Sequence, residues 1–335
     1  MIANPLLDKH NRLHHYLRIS VTDHCNLKCV YCMPEDGVPF TPHDQLLSND
    51  EITQVVRVLA ARGVTNLRIT GGEPLVRPNL TELISTLSNI KGIEDIALST
   101  NGIFLAKHAR ELKRAGITRV NISLDSLRAD RFKQITRGGD VNAVLEALRA
   151  SIEVGFQPIK LNVVLIKGMN DDEIVDFLRL TKDLPITVRF IEYMPIGHAD
   201  DTWRNRYLPL STVLDVCNQH GWNYIRSGAI KGNGPSENYQ IESFAGTFGL
   251  IHPISDHFCE SCNRLRLLAD GNIKACLFWS DEFNVRKHIG NDEAISNLFD
   301  RALDRKPLNH EMALELVKEQ LSHTPTVRRM SQIGG

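Results

Sequence analysis

The chain has 335 residues, 42% of them apolar and 24% charged, with a formal net charge of −1 and a pI near 6.9. Ordinary globular composition at this length implies one large domain plus an appendage, because the chain exceeds the size at which a single core stops growing. The near-neutral balance argues against nucleic acid as a partner, and without an apolar run of about 18 residues no membrane partner is expected. The first residues, MIANPLLDKHNRLHHY, lack an apolar signal core, so a cytoplasmic location is expected.

In chain order, β-branched runs predict strands over 17–22, 66–70, 93–99, 118–124, 159–165 and 186–193. Helical periodicity fills the gaps, over 51–63, 79–90, 105–116, 141–155 and 172–183. Ser48 and Glu51 form a capping box at the first helix, and Gly63, Gly116 and Gly155 are plausible stops. Strand–helix repetition of this kind predicts right-handed crossovers and a parallel sheet. Periodicity alone does not choose between a partial barrel and a doubly wound sheet, but in both the ligands belong at the C-terminal ends of the strands. Beyond Pro195 the pattern breaks. A polar stretch, a further helix over 210–221 and a Gly-rich loop follow, so the boundary is placed near residue 228, dividing the chain into 8–228 and 229–335.

The seven cysteines are unevenly placed. Cys25, Cys29 and Cys32 follow the first strand in VTDHCNLKCVYCMP, spaced C-x3-C-x2-C. A reducing compartment disfavours disulfides, and soft thiolates suit iron–sulfur clusters or zinc. Structural zinc wants four ligands, so that reading needs His24 or His43 as the fourth. Three thiols on a four-iron cluster would leave one iron open to a small molecule.

TGGEP follows the second strand, where consecutive glycines let backbone approach a ligand and Glu73 offers an acceptor for an ammonium group. Ser99 and Thr100 close the third strand, Ser123 and Asp125 lie in the fourth, and Lys160, Arg189 and Met194 mark the fifth and sixth. Singly these are ordinary solvated strand ends; their recurrence at one end of the sheet favours a site. Neither a Walker A sequence nor G-x-G-x-x-G is present.

Near the C-terminus, Cys259 and Cys262 form a C-x2-C pair, with Cys276 following. Again the count is three, and zinc would need His252 or His257. Arg264 and Arg266 alternate along a strand pattern, so both face one side, where guanidinium groups suit phosphate. Cys217 falls on the apolar face of a helix as a core residue, and the chain ends in Gly334 and Gly335.

CNLKCVYC resembles the signature of the radical S-adenosylmethionine (SAM) superfamily, and TGGEP resembles its GGE motif. With the distal C-x2-C-N-R-L-R, the third cysteine and the Gly-Gly end, the chain as a whole resembles the MoaA family of GTP 3′,8-cyclases. The resemblance implies an α/β fold, a partial (βα)6 parallel barrel of radical SAM type with a C-terminal cluster-binding extension. It implies two 4Fe–4S clusters and SAM as cofactors, with Cys25, Cys29 and Cys32 on the first cluster and Cys259, Cys262 and Cys276 on the second. Tyr31, Gly72, Glu73, Ser123 and Met194 match family positions around SAM. Arg18, Arg68, Ser99, Lys160, Arg264, Leu265 and Arg266 match those around GTP, with Ser99 standing where the family often has Thr.

Arg189 resembles a family arginine lining the same cavity, and Gly334 and Gly335 the tail that reaches it. In the family, a 5′-deoxyadenosyl radical takes hydrogen from C3′ of GTP, and C3′–C8 bond formation gives 3′,8-cyclo-7,8-dihydro-GTP, opening molybdenum cofactor biosynthesis. The resemblance further implies an electron donor of unidentified nature, the cyclic pyranopterin monophosphate synthase as next enzyme, and a homodimer, since family members are often dimers. Two rivals stand beside it: a peptide-modifying radical SAM enzyme with an auxiliary cluster, and a non-catalytic zinc-binding adaptor.

Overall fold

The computed structural model describes residues 4–196, 203–228, 234–256, 258–310 and 324–334. The six β-branched runs form β1 (Tyr16–Ser20), β2 (Asn66–Thr70), β3 (Asp95–Thr100), β4 (Arg119–Ser123), β5 (Ile159–Leu165) and β6 (Thr187–Glu192). Between them run α1 (Asn49–Ala61), α2 (Leu80–Ser88), α3 (Leu105–Ala115), α4 (Ala129–Thr136), α5 (Val141–Val154) and α6 (Ile174–Asp183). The Ser48–Glu51 capping box is made at α1, and Gly116 and Gly155 end α3 and α5 in the left-handed conformation. At α1 the cap falls on Arg62, one residue before Gly63. Helix α4 has no counterpart among the sequence expectations; it ends on Arg137 in the left-handed region, where a glycine signal would ordinarily be sought.

Further along lie α7 (Trp203–Arg206), α8 (Ser211–Gln219), β7 (Tyr224–Arg226), β8 (Glu237–Ile241), β9 (Thr247–Ile251), β10 (Arg264–Leu267), β11 (Asn272–Lys274), β12 (Phe283–Asn284), α9 (Asp292–Asp304) and α10 (Met330–Ile333). All twelve strands join one sheet in the order β12-β11-β10-β1-β2-β3-β4-β5-β6-β9-β8-β7. From β1 to β6 the spatial order is the sequence order, with no reversal. A doubly wound sheet needs such a reversal, so the six units form an open, barrel-like parallel array. The later strands extend it at both ends, β10 pairing parallel to β1 and β9 parallel to β6.

Alternation along each strand separates two environments. Outward positions are apolar, among them Leu17, Ile19, Leu67, Ile69, Leu98, Ile122, Leu161 and Phe190, and pack against the helices in the main core. Each such side chain contributes about 1.5–3 kcal/mol on burial. Cys217 is fully buried in that core. Inward positions are mostly polar or charged: Tyr16, Arg18, Arg68, Ser99, Asn121, Ser123, Lys160, Asn162, Arg189, Arg264 and Arg266, with Ala97, Val164 and Ile191 as apolar exceptions. The apolar face holds the fold, and the inner face is left for chemistry. Among the described residues, no helix is long and apolar enough to cross a membrane.

Candidate active site

All six clustered cysteines carry free thiols and face one cavity of about 310 Å³. The first trio sits on the loop after β1, and the strand end of β2 locks it in place. Gly72 N–H donates to Thr22 O and Glu73 N–H to His24 O, each at 2.8 Å. A Cβ on Gly72 would lie 2.3 Å from His24 O and 2.5 Å from Asp23 O, so only glycine allows this approach. Burial pushes the Cys25 thiol up to about 11 and that of Cys32 to about 12, and Cys29 lies well above its usual value. Tyr31 turns its hydroxyl to Asp125 Oδ2 at 2.7 Å, while Val164 N–H donates to Oδ1 at 2.9 Å. Ser123 and Met194 complete this end of the cavity.

Glu73 is fully buried beneath the cavity wall. Its carboxylate accepts Thr100 Oγ1 at 2.8 Å, Asn101 N–H at 2.7 Å and Leu75 N–H at 3.1 Å. Burial outweighs these bonds and raises its pKa to about 7. Glu73 therefore ties the ends of β2 and β3 together, and its remaining acceptor capacity is what an ammonium group could use.

The second trio flanks β10 and β11. Burial raises the Cys259 thiol to about 12. At Cys262 burial acts the same way, but Lys306, Arg264 and Arg266 outweigh it and hold the thiol down at about 6. Among the described residues no three or more His, Cys, Asp and Glu come together as a single-ion site. His24 Nε2 faces Thr41 O at 3.2 Å and its ring stacks on Phe40, His252 lies beside Glu192, and His257 is outside the described residues. Three thiols each serving a different iron need not share one ion's shell, so the donor sets fit two polynuclear clusters better than zinc.

Between the trios runs a cationic row. Arg18 is the register partner of Arg68 on one side and Arg266 on the other. Like charges directly opposite on neighbouring strands repel, and here Arg68 and Arg266 are buried with Arg18 half-buried between them. The nearby carboxylate of Asp95 is paired with Arg119. Among the described residues, the buried Nε atoms of Arg18 and Arg266 have no hydrogen-bond partner. Burial, then Arg189, Arg119 and Arg68, push Lys160 down to about 6. Arg189 is brought down to about 9 by burial first and then Arg68, and it is oriented by Asn162 Oδ1 at 2.9 Å and Asn121 Oδ1 at 3.1 Å. Arg68 reaches Ser99 Oγ at 3.2 Å and also donates to the Tyr16 hydroxyl. Arg264 lies over the Phe258 ring at 4.6 Å. Such a floor is a receptor for a multiply charged anion. Leu265 alternates outward into the core opposite Leu17, leaving its backbone as the part nearest the site.

The C-terminal strap closes the cavity. Thr326 N–H donates to Phe278 O at 2.6 Å, Arg328 binds Asp270 and Glu282 at 2.7 Å each, and Ile333 packs into a second core with Phe278 and Trp279. Ser331 thereby lies against Cys32, and Gly334 approaches the ends of β1 and β2, where a Cβ would sit 2.7 Å from Thr70 Cγ2. Gly335 is outside the described residues. Tyr16, Asn121, Asn162 and Ser331 were not singled out from sequence, although the first three share the two-residue period of the inward arginines and serines.

Glu192 ends β6 and is fully buried, accepting Tyr207 Oη at 2.9 Å, Ser255 Oγ at 2.5 Å, Ile254 N–H at 2.8 Å and Ser255 N–H at 3.1 Å. Burial opposes ionisation, but these bonds and His252 hold its pKa below the ordinary 4.5. Glu192→Ala should cost about 1–3 kcal/mol at pH 7, chiefly by orphaning the buried Ile254 N–H, with a smaller contribution from the part-buried Ser255 N–H. Because the folded pKa is depressed, the carboxylate's stabilisation is present above 4.5 and lost as pH falls through the folded value. Thermal unfolding of both proteins between pH 7 and pH 3 should show the gap narrowing on acidification; a constant gap would refute this role.

Comparison with known proteins agrees with the geometry. Residues 19–181 match the Radical SAM superfamily, and residues 186–312 match Molybdenum Cofactor Synthesis C. The chain is 58% identical over 330 residues to the GTP 3′,8-cyclase of Listeria monocytogenes, covering 98% of this chain and 99% of that protein. It is 53% identical to the GTP 3′,8-cyclase of Lactiplantibacillus plantarum with the same coverage. Among solved structures, Streptococcus suis SuiB bound to S-adenosylmethionine superposes with a TM-score of 0.57 at 17% identity, over 94% of this chain and 70% of that one. Native anSMEcpe with bound AdoMet gives 0.56 at 15% identity, over 89% and 82%. These two likenesses show the fold. The full-length identity decides the rest: the chain belongs to the radical SAM superfamily and, within it, to the GTP 3′,8-cyclase family.

Proposed function

We propose that this protein is a radical SAM GTP 3′,8-cyclase, producing 3′,8-cyclo-7,8-dihydro-GTP in the first step of molybdenum cofactor biosynthesis. The observation that carries this reading is a single cavity lined by both cysteine trios with a row of buried and half-buried arginines between them. Cys25, Cys29 and Cys32 would hold one 4Fe–4S cluster, and Cys259, Cys262 and Cys276 the other. When the first cluster and SAM are both bound, the reduced cluster would supply one electron to SAM, whose cleavage to methionine gives the 5′-deoxyadenosyl radical for hydrogen removal from C3′ of GTP.

The chain's own residues bind, orient and enclose. Tyr31, Gly72, Ser123 and Met194 surround SAM, with Glu73 holding the strand ends beneath it. Arg18, Arg68, Lys160, Arg264 and Arg266 neutralise the triphosphate, assisted by Ser99 and the Leu265 backbone. Arg189, fixed by two asparagines, lines the reaction space, with Gly334 nearby at the ends of β1 and β2; the expected role of Gly335 falls on a residue outside the described ones. Enclosure keeps water and stray C–H bonds from a reactive radical, and orientation of the ribose toward SAM is the protein's main contribution. Residues 8–228 supply the radical-generating barrel, and residues 229–335 the substrate-side cluster and closing strap. The reading extends to a cytoplasmic enzyme, a homodimer served by an external electron donor, whose product passes to the cyclic pyranopterin monophosphate synthase.

Anaerobic incubation of the reconstituted, reduced protein with SAM and GTP tests the function. 5′-Deoxyadenosine and cyclised nucleotide should form together. Deoxyadenosine that forms equally without GTP, with no cyclised nucleotide, would return the substrate to the peptide-modifying alternative.

A further inference from the structure

Lys306 belongs to no motif, yet its ammonium is only 2% exposed and sits directly behind the second cysteine trio. Nζ donates to Cys262 Sγ at 3.6 Å, to Arg264 O at 3.1 Å and to Ala275 O. These three acceptors match the three N–H donors of an ammonium group in number. Two of those acceptors belong to Arg264, which faces the anion floor, and to the residue preceding Cys276.

A second cation fixes this one. Arg12, from the opposite end of the chain, donates to Cys259 O and Pro307 O at 2.7 Å each and to Leu308 O at 3.0 Å. Its Nε is held by Asp8 Oδ2 at 2.6 Å, and His14 Nε2 meets the same oxygen at 2.9 Å. The segment carrying Lys306 is thus bolted to the segment carrying Cys259. At the first trio the charged neighbours are the carboxylates Asp125 and Glu73 instead.

We propose that Lys306 is a positioning residue of the second cluster: its ammonium bonds the Cys262 thiolate, fixes the backbone around Arg264 and Ala275, and raises that cluster's reduction potential. The inference rests on the reading that Cys259, Cys262 and Cys276 carry an iron–sulfur cluster. An added electron places negative charge on the cluster sulfurs, and a positive N–H donor at a ligand sulfur stabilises that reduced form more than the oxidised one. Removing the charge should move the midpoint to a more negative value. The first cluster, on the loop after β1, should keep its midpoint.

The test is an EPR-monitored dithionite titration of full-length protein in which Cys25, Cys29 and Cys32 are replaced by Ala, so that only the second cluster reports. Lys306→Gln keeps N–H donors without charge, and Lys306→Met removes both. A more negative midpoint in Lys306→Gln, displaced further in Lys306→Met, is the expected result. An unchanged midpoint in Lys306→Gln at full iron content overturns the proposal, and that variant decides alone if Lys306→Met assembles no cluster. If the chain with Lys306 intact shows no second-cluster signal, it is the cluster reading that has failed, and the two failures are told apart.

Discussion

Replacing Arg266 with Ala is expected to lower kcat/KM for GTP by about 100-fold or more, roughly 2.7 kcal/mol, with both clusters retained. Arg266 is 3% exposed, its Nε has no protein partner, and burial followed by Arg264 brings its pKa down to about 10. It stands directly across from Arg18, which stands across from Arg68. Without an anion the row is a cost to the fold; with a triphosphate it becomes the main source of binding. Two opposite effects therefore compete in Arg266→Ala. Relief of repulsion favours the free protein, while loss of a buried bidentate donor weakens the complex. A charge-assisted contact in a dry site is the larger of the two, so affinity should fall while the free protein's stability changes little. Steady-state kinetics, iron content and the rise in Tm on adding GTP read the three consequences separately. Normal turnover, or an undiminished Tm rise, would remove Arg266 from the phosphate site.

The central strands and helices were legible because period and punctuation agreed. β2 and β5 fall over 66–70 and 159–165 as expected, and Ser48 caps α1 as its spacing implies. Pairing at the two ends of the sheet was not legible. β9 and β10 are short, and nothing local tells Arg266 that its neighbour across the sheet is Arg18. That register turns separate arginines into one row, and it is a long-range property of the fold. Lys306 and Arg12 were invisible for a related reason: a lone cation gains meaning only from the carbonyls and sulfur around it. The glycines of TGGEP are expected from sequence to let backbone approach a ligand; what the structure places against Gly72 is the backbone of His24 and Asp23. Glu73 is expected from sequence to offer an acceptor to an ammonium group; the three protein donors on its carboxylate, which tie β2 to β3, are the part that local sequence does not reveal.

Cys276→Ala should separate the two halves of the reaction more sharply than any arginine change. The first trio is supported by Tyr31–Asp125, by Glu73 with Thr100 and Asn101, and by the Gly72 contact, all on β1 to β5 and their loops. The second trio is supported by Arg12, Lys306 and β10. These two sets of hydrogen bonds share no residue; the strap alone touches both ends, with Ser331 against Cys32 and Met330 and Ile333 packed in the cluster that includes Cys276, so loss of a single thiol at the far end should leave the radical-generating end intact. The variant should keep the iron of the first cluster and still convert SAM to 5′-deoxyadenosine. Cyclised nucleotide should fall below detection, because GTP would no longer be held with its ribose toward SAM. The ratio of deoxyadenosine to cyclised product, measured with GTP present, reads this uncoupling directly. A ratio matching that of the unaltered protein would mean that the second trio shapes the fold near β11 without serving the substrate, and the anion floor alone would then have to orient GTP.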